Sequence, residues 1–151
     1  MDKVLFTGFK GKNNASSILA EQTGCNYILL TNSFAGLEKD IDKISEEYGY
    51  VMMFGVDKEL GAAVRIEQSA AVNGEKLVSC LDLEKLAGTI SAAGIKAVIS
   101  DSPKLSLCNE AYWHMLRKYN GRAVFIHIPT VKYADRIFID KLRSALPYTT
   151  R

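Results

Sequence analysis

The chain has little of almost everything that marks a specialised class of protein. Its 151 residues hold three cysteines, Cys25, Cys80 and Cys108, an odd number at wide spacing, and that pattern reads as neither a disulfide framework nor a zinc site. Its three prolines are scattered and no linker-like stretch interrupts it, so one domain over 1–151 is the expected organisation. The longest apolar runs, such as Val51-Met52-Met53-Phe54, are far too short to span a bilayer, which argues against a membrane partner. Net charge is only +2, from 19 basic and 17 acidic side chains, without the basic clustering that a nucleic-acid footprint needs. Strand-like residues begin by Val4, without the charged-then-apolar layout of a signal peptide, so reduced thiols and a cytoplasmic location are expected. Gly8-Phe9-Lys10-Gly11 lacks both P-loop and dinucleotide spacing, and no nucleotide site is expected from it. Internal repeats and low-complexity tracts are absent as well. The sequence leaves a homo-oligomer open.

What is there is an alternation of short apolar runs with amphipathic stretches. Hydrophobic residues make up 48% and charged residues 24%, ordinary for a globular chain with one substantial core. Residues 4–7, 27–30, 50–54, 97–99 and 123–128 read as buried strands, the first closed by Gly8. Residues 62–72 read as one extended stretch, with Val64 and Ile66 on one side and Arg65 and Glu67 on the other. Helical spacing covers 15–23, the series Leu37, Ile41, Ile44 and Tyr48, residues 82–93, a segment from near Cys108 to Tyr119, and a closing helix through Ile137, Ile139, Leu142 and Leu146. Continuous apolar strands separated by helices predict an α/β fold with a mainly parallel central sheet covered on both faces. Functional groups in such sheets gather at the carboxyl ends of strands. Ser100-Asp101-Ser102 and His127 both fall at such ends.

Cys108 and His127 carry the chemistry. If Ser106 caps the helix, Cys108 lies in its first turn, where unpaired backbone N–H groups favour a thiolate and can hold a developing oxyanion. Ser102-Pro103 is an equally good helix start and would bury the cysteine deeper in the helix. The local sequence also suits a buried structural cysteine, which is how Cys25 and Cys80 are read. Two histidines compete for the role of base. His114 follows Cys108 by six residues on the same helix, about 240° around it, and points away. His127, from the next strand end, is the better candidate. Glu67 either orients that imidazole or is a solvated strand-edge carboxylate.

Taken together, these segments resemble the pyroglutamyl peptidase I (pyrrolidone-carboxylate peptidase) family of cysteine peptidases. Ile95, Ala97, Ile99, Ser100, Ser102, Leu107, Cys108 and Asn109 fall in register with the family's active-site cysteine pattern. Phe125-Ile126-His127-Ile128-Pro129 is similar to its histidine motif, and Thr7-Gly8-Phe9 with Asn14-Ala15-Ser16 to its opening. Glu67, with Gln68-Ser69-Ala70 and Asn73, is a loosened version of its glutamate motif. The resemblance implies a three-layer α/β/α fold and release of an N-terminal 5-oxoproline from a small peptide through an acyl-enzyme, without metal or cofactor. It implies Cys108 as nucleophile, His127 as general base and Glu67 as the orienting acid. It also offers Phe9 as a contact for the substrate ring, a residue equally suited to capping the first strand within the core.

The departures fall on substrate recognition. Pro103-Lys104 and Ser106 stand where the family has Ala-Gly and an aromatic, and Lys10-Gly11-Lys12-Asn13 replaces the aromatic and glycines that enclose the lactam. Two alternatives therefore stay open. One is a diverged thiol hydrolase of this fold with another substrate; the other is a non-catalytic binding or assembly domain.

Overall fold

The computed structural model describes residues 3–146. All six residues of the first strand, β1 (Val4–Phe9), are buried, a state a strand reaches only when both faces of its sheet are covered. Six strands form that sheet in the order β2 (Tyr27–Leu30), β1, β3 (Tyr50–Val56), β8 (Ala123–Ile128), β4 (Ala63–Glu67) and β7 (Lys96–Ser100). The first four run parallel, as do β4 and β7 with each other. Where the two groups meet, β4 runs antiparallel to β8, with Arg65 opposite His127 and Glu67 opposite Phe125. The sheet is mainly parallel, as the apolar patterning indicates. The single reversal is invisible to that patterning, because period-two burial looks the same in either direction.

Strand parity sorts the interior into two cores. Val4, Phe6, Met52, Phe54, Val64, Ile66, Val124 and Ile126 project to one face, against α1 (Ala15–Gln22), α3 (Leu83–Ala92) and α5 (Arg136–Ala145). Leu5, Phe9, Val51, Met53, Ala123 and Phe125 project to the other, against α2 (Phe34–Asp42) and α4 (Leu107–Lys118). The result is a three-layer α/β/α fold. By the same alternation Gly55, Arg65, Glu67 and His127 face the layer that holds α4. Cys108 lies at the start of that helix.

Three boundaries differ from the sequence reading. Residues 62–72 are two strands, not one: β5 (Ser69–Val72) leaves the sheet and pairs antiparallel with β6 (Glu75–Val78). Asn73 and Gly74 join them with φ of 51° and 80°, the left-handed pair that a tight two-residue hairpin needs. Strand β1 runs through Gly8 to Phe9. There the missing Cβ admits α1, since a side chain at Gly8 would collide with the Ser16 carbonyl. Helix α2 stops at Asp42, and Ile44 and Tyr48 reach the same core from the following loop.

Two substitutions test this account by urea denaturation. Phe54 is fully buried and stacks on Phe6 with ring centroids 5.9 Å apart, so Phe54→Ala is expected to cost roughly 3–5 kcal/mol. The Thr7 hydroxyl is buried without a hydrogen-bond partner among the described residues, so Thr7→Val is expected to raise stability by about 1 kcal/mol. A lower midpoint for Thr7→Val would show that the hydroxyl contributes to the fold.

Candidate active site

Helix α4 starts at the nearer of the two caps open to it. The Ser106 Oγ accepts a hydrogen bond from the Asn109 amide at 3.1 Å, and its carbonyl accepts one from Glu110. Cys108 is thus the second residue of the helix. The amides of Leu107 and Cys108 have no partner among the described residues, and they leave the partial positive charge of the helix end directed outward. Opposite them lies Gly55 of β3. A Cβ on that residue would stand 2.7 Å from the Cys108 Sγ and 2.5 Å from the Phe125 ring. The sulfur therefore rests on bare backbone, and only glycine leaves room for it there. The Asn109 side chain ties this turn to the hairpin, donating to the Ala71 carbonyl at 2.8 Å and accepting from its amide at 3.0 Å.

The β4–β8 register assembles the imidazole and its carboxylate. Glu67 is the diagonal neighbour of His127 across the antiparallel pair, close enough for side chains to meet. Glu67 Oε2 lies 2.7 Å from His127 Nδ1. Burial pulls the Glu67 carboxyl upward, yet the hydrogen bonds and charges of His127 and Arg65 hold it below the usual range. An ionised carboxylate can only accept, so Nδ1 carries a proton, and in the neutral ring the lone pair is on Nε2. The Tyr112 hydroxyl donates to the Glu67 carbonyl at 2.8 Å, and the Phe125 ring packs 4.8 Å from the imidazole. Both partners are held from behind.

Cys108, Glu67 and His127 line one cleft of about 680 Å³, which also takes in Asp57, Arg65 and Ser102. Among the described residues, no hydrogen bond joins the sulfur to the imidazole. Burial pushes the Cys108 thiol up to about 12, with the Glu67 and Asp57 carboxylates adding to the effect and Arg65 opposing it. That direction is opposite to the thiolate that a helix start by itself favours. The resting form is the thiol, and it becomes a nucleophile only by giving its proton to a base.

Two charged residues of the site escaped the sequence reading. Arg65 Nε lies 2.7 Å from Glu67 Oε2, and its Nη2 lies 2.9 Å from Asp57 Oδ2 and 3.3 Å from His127 Nδ1. Asp57 stands one residue beyond β3, at a strand's carboxyl end, which was the available signal for it. Burial raises its carboxyl, but the Glu59 amide and the Arg65 guanidinium bring it below the ordinary value.

Phe9 is not in the cleft. It is 4% exposed and packs in the core with Leu5, Leu30 and Leu37. His114 pairs with Glu110 at 3.5 Å, partly exposed on α4 and away from the cleft. Cys25 is half-buried, whereas Cys80, read as structural, is exposed. Among the described residues no group of three or more His, Cys, Asp or Glu side chains could hold a metal ion, and no helix is long and apolar enough to cross a membrane.

The raised thiol makes a prediction. In the unliganded protein at pH 7, iodoacetamide is expected to label Cys80 ahead of Cys108, and the Cys108 rate should still be climbing above pH 9. Peptide mapping by mass spectrometry separates the two sites. A Cys108 rate that levels off near neutral pH would reveal a preformed thiolate.

No family model and no curated protein matches the sequence. Among solved structures it is similar to a variant pyrrolidone carboxyl peptidase from the hyperthermophile Pyrococcus furiosus, at 22% identity over 95% of this chain and 93% of that one, with a TM-score of 0.78. The pyrrolidone carboxyl peptidase of Thermococcus litoralis matches at 19% identity over 95% and 92% of the two chains, TM-score 0.74. That of Thermus thermophilus matches at 18% identity over 97% and 100%, TM-score 0.79. Over nearly its whole length, the chain has the three-layer α/β/α fold of the pyrrolidone carboxyl peptidases.

Proposed function

We propose that the protein is a cysteine hydrolase that releases an N-terminal acyl group, 5-oxoproline, from small peptides. The observation that carries this reading is the Glu67–His127 pair, 2.7 Å apart, in one cleft with a cysteine at the start of a helix. The shared fold and the sequence motifs around Cys108 and His127 support it.

The chemistry follows from the groups present. The Cys108 S–H proton passes to His127 Nε2 as the sulfur attacks the scissile carbonyl carbon and the C=O π pair moves to oxygen. The amides of Leu107 and Cys108 face the resulting oxyanion. Collapse breaks the C–N bond, and the departing amine takes the proton from Nε2. A water molecule then attacks the thioester, its proton again accepted by Nε2, and the thiol is restored as the acid leaves. Glu67 keeps Nδ1 protonated and the ring oriented throughout. Because the resting thiol is held near 12, proton transfer has to accompany attack.

A second reading concerns the acyl group. Phe9 is in the core, and the aromatic rings that do line the cleft, Tyr112 and Phe125, are 1% and 0% exposed. They offer little surface to stack on a flat lactam. A hydrolase of the same mechanism with a different acyl preference accommodates that observation.

Hydrolysis of a fluorogenic pyroglutamyl amide beside a panel of aminoacyl amides decides between them. Release from the pyroglutamyl amide alone supports the first reading, and release from another member supports the second. Cys108→Ala is expected to abolish turnover of whichever amide is cleaved, and Glu67→Gln to lower kcat by roughly 10²–10⁴-fold. Intact turnover in Cys108→Ala would overturn the assignment of the nucleophile.

A further inference from the structure

We propose that Arg65 is a positioning residue that keeps His127 available as a base, holding Glu67 against Nδ1 while placing its own positive charge beside that nitrogen. The proposal rests on the cysteine–histidine reading above.

Its geometry serves two jobs at once. The guanidinium spends Nε on Glu67 at 2.7 Å and Nη2 on Asp57 at 2.9 Å, so the planar fork fixes the arginine between two carboxylates. An ammonium group is a single point and cannot reproduce both contacts. The side chain is 28% exposed and Glu67 only 11%, which places the pair where charges are weakly screened. Nη2 also lies 3.3 Å from His127 Nδ1. That nitrogen already donates to Glu67, and arginine has no acceptor, so this approach is no hydrogen bond. It is a fixed cation against the imidazole ring.

The charges around the ring show why a cation is required there. Arg65 and Glu67 face it from β4, Asp57 and Lys58 from the end of β3, Lys104 from the segment after β7, and Cys108 from α4. Lys58 and Lys104 are exposed and act through solvent. Without Arg65, two carboxylates would confront the imidazole with no close counter-charge. The ring would then be driven toward its doubly protonated form, which cannot accept the thiol proton. Glu67 by itself orients the ring but also favours its doubly protonated form, which leaves less free base to take the thiol proton. Arg65 removes that conflict, and Asp57 in turn holds Arg65 in place.

The sign of each effect makes the proposal testable in the intact protein. Arg65→Met is expected to move the acid limb of kcat/KM to higher pH by about one unit, for whichever amide is cleaved. Asp57→Asn should move it the other way, and Arg65→Lys should fall between Arg65→Met and the unsubstituted protein. A readout without substrate accompanies these: ¹H–¹⁵N correlation NMR of the His127 ring. The expected result is a proton on Nδ1 in the unsubstituted protein, and a larger share of doubly protonated ring in Arg65→Met at the same pH. Thermal unfolding identifies a variant that merely loses structure, in which case Arg65→Lys carries the comparison. An acid limb and a ring protonation that are the same in all three variants would overturn the proposal. If no amide is cleaved by the unsubstituted protein, the functional reading fails, and the NMR comparison alone supports or overturns the role of Arg65.

Discussion

The hydrogen bond between Glu67 and His127 depends on β4, which with β7 runs opposite to the other four strands of the sheet. Had β4 joined β8 in parallel, as β3 does, Arg65 and Glu67 would stand at different heights relative to His127. Antiparallel pairing sets Arg65 directly across from the histidine and Glu67 on the diagonal. The other features of the site follow from that reversal. After Glu67 the chain has reached the end of its strand and must turn away, and it does so through the β5–β6 hairpin. The hairpin then anchors the first turn of α4 through Asn109. One pairing thus places the carboxylate, the imidazole and the helix that carries the sulfur.

The electrostatics of the cleft oppose a resting thiolate. Burial and two carboxylates raise the thiol, and one guanidinium works against them. Such a site favours a neutral nucleophile activated at the moment of attack over a standing ion pair. In the proposed mechanism the free amides at the start of α4 would act where negative charge develops, on the substrate oxygen, since that is the group they can face without competition from Glu67 and Asp57. Gly55 belongs to the same arrangement, because its bare backbone is what lets sulfur, Phe125 and imidazole crowd into one layer.

Much of the site was legible in the sequence. Ser106 three residues before Asn109 is one of two readable caps, beside Ser102-Pro103, His127 near the end of an apolar strand marks a group presented at the sheet's edge, and the six-residue step from Cys108 to His114 removes that histidine by helix geometry. The Asn73-Gly74 pair was also a readable hairpin signal. The alternation that continues across Gln68 hides it, because β4 and β5 share a period although they belong to different sheets. Phe9 illustrates the opposite limit. An aromatic closing an apolar strand looks the same whether it borders a cleft or fills a core, and only the α2 residues packed over it decide the matter.

The alternation of strands and helices, the two-sided burial of the sheet and the residues of each strand that share a face follow from local periodicity and parity. Tertiary structure alone decided strand order and direction, and with them which side chains meet. Arg65 and Asp57 show the difference. Each is an ordinary charged residue in sequence, and each joins the site through a contact made in space: Arg65 reaches His127, 62 residues away, across the reversed strand pair, and Asp57 is drawn in by Arg65. The energy of such contacts depends on distance and burial in space, and neither is written in the spacing of residues along a chain.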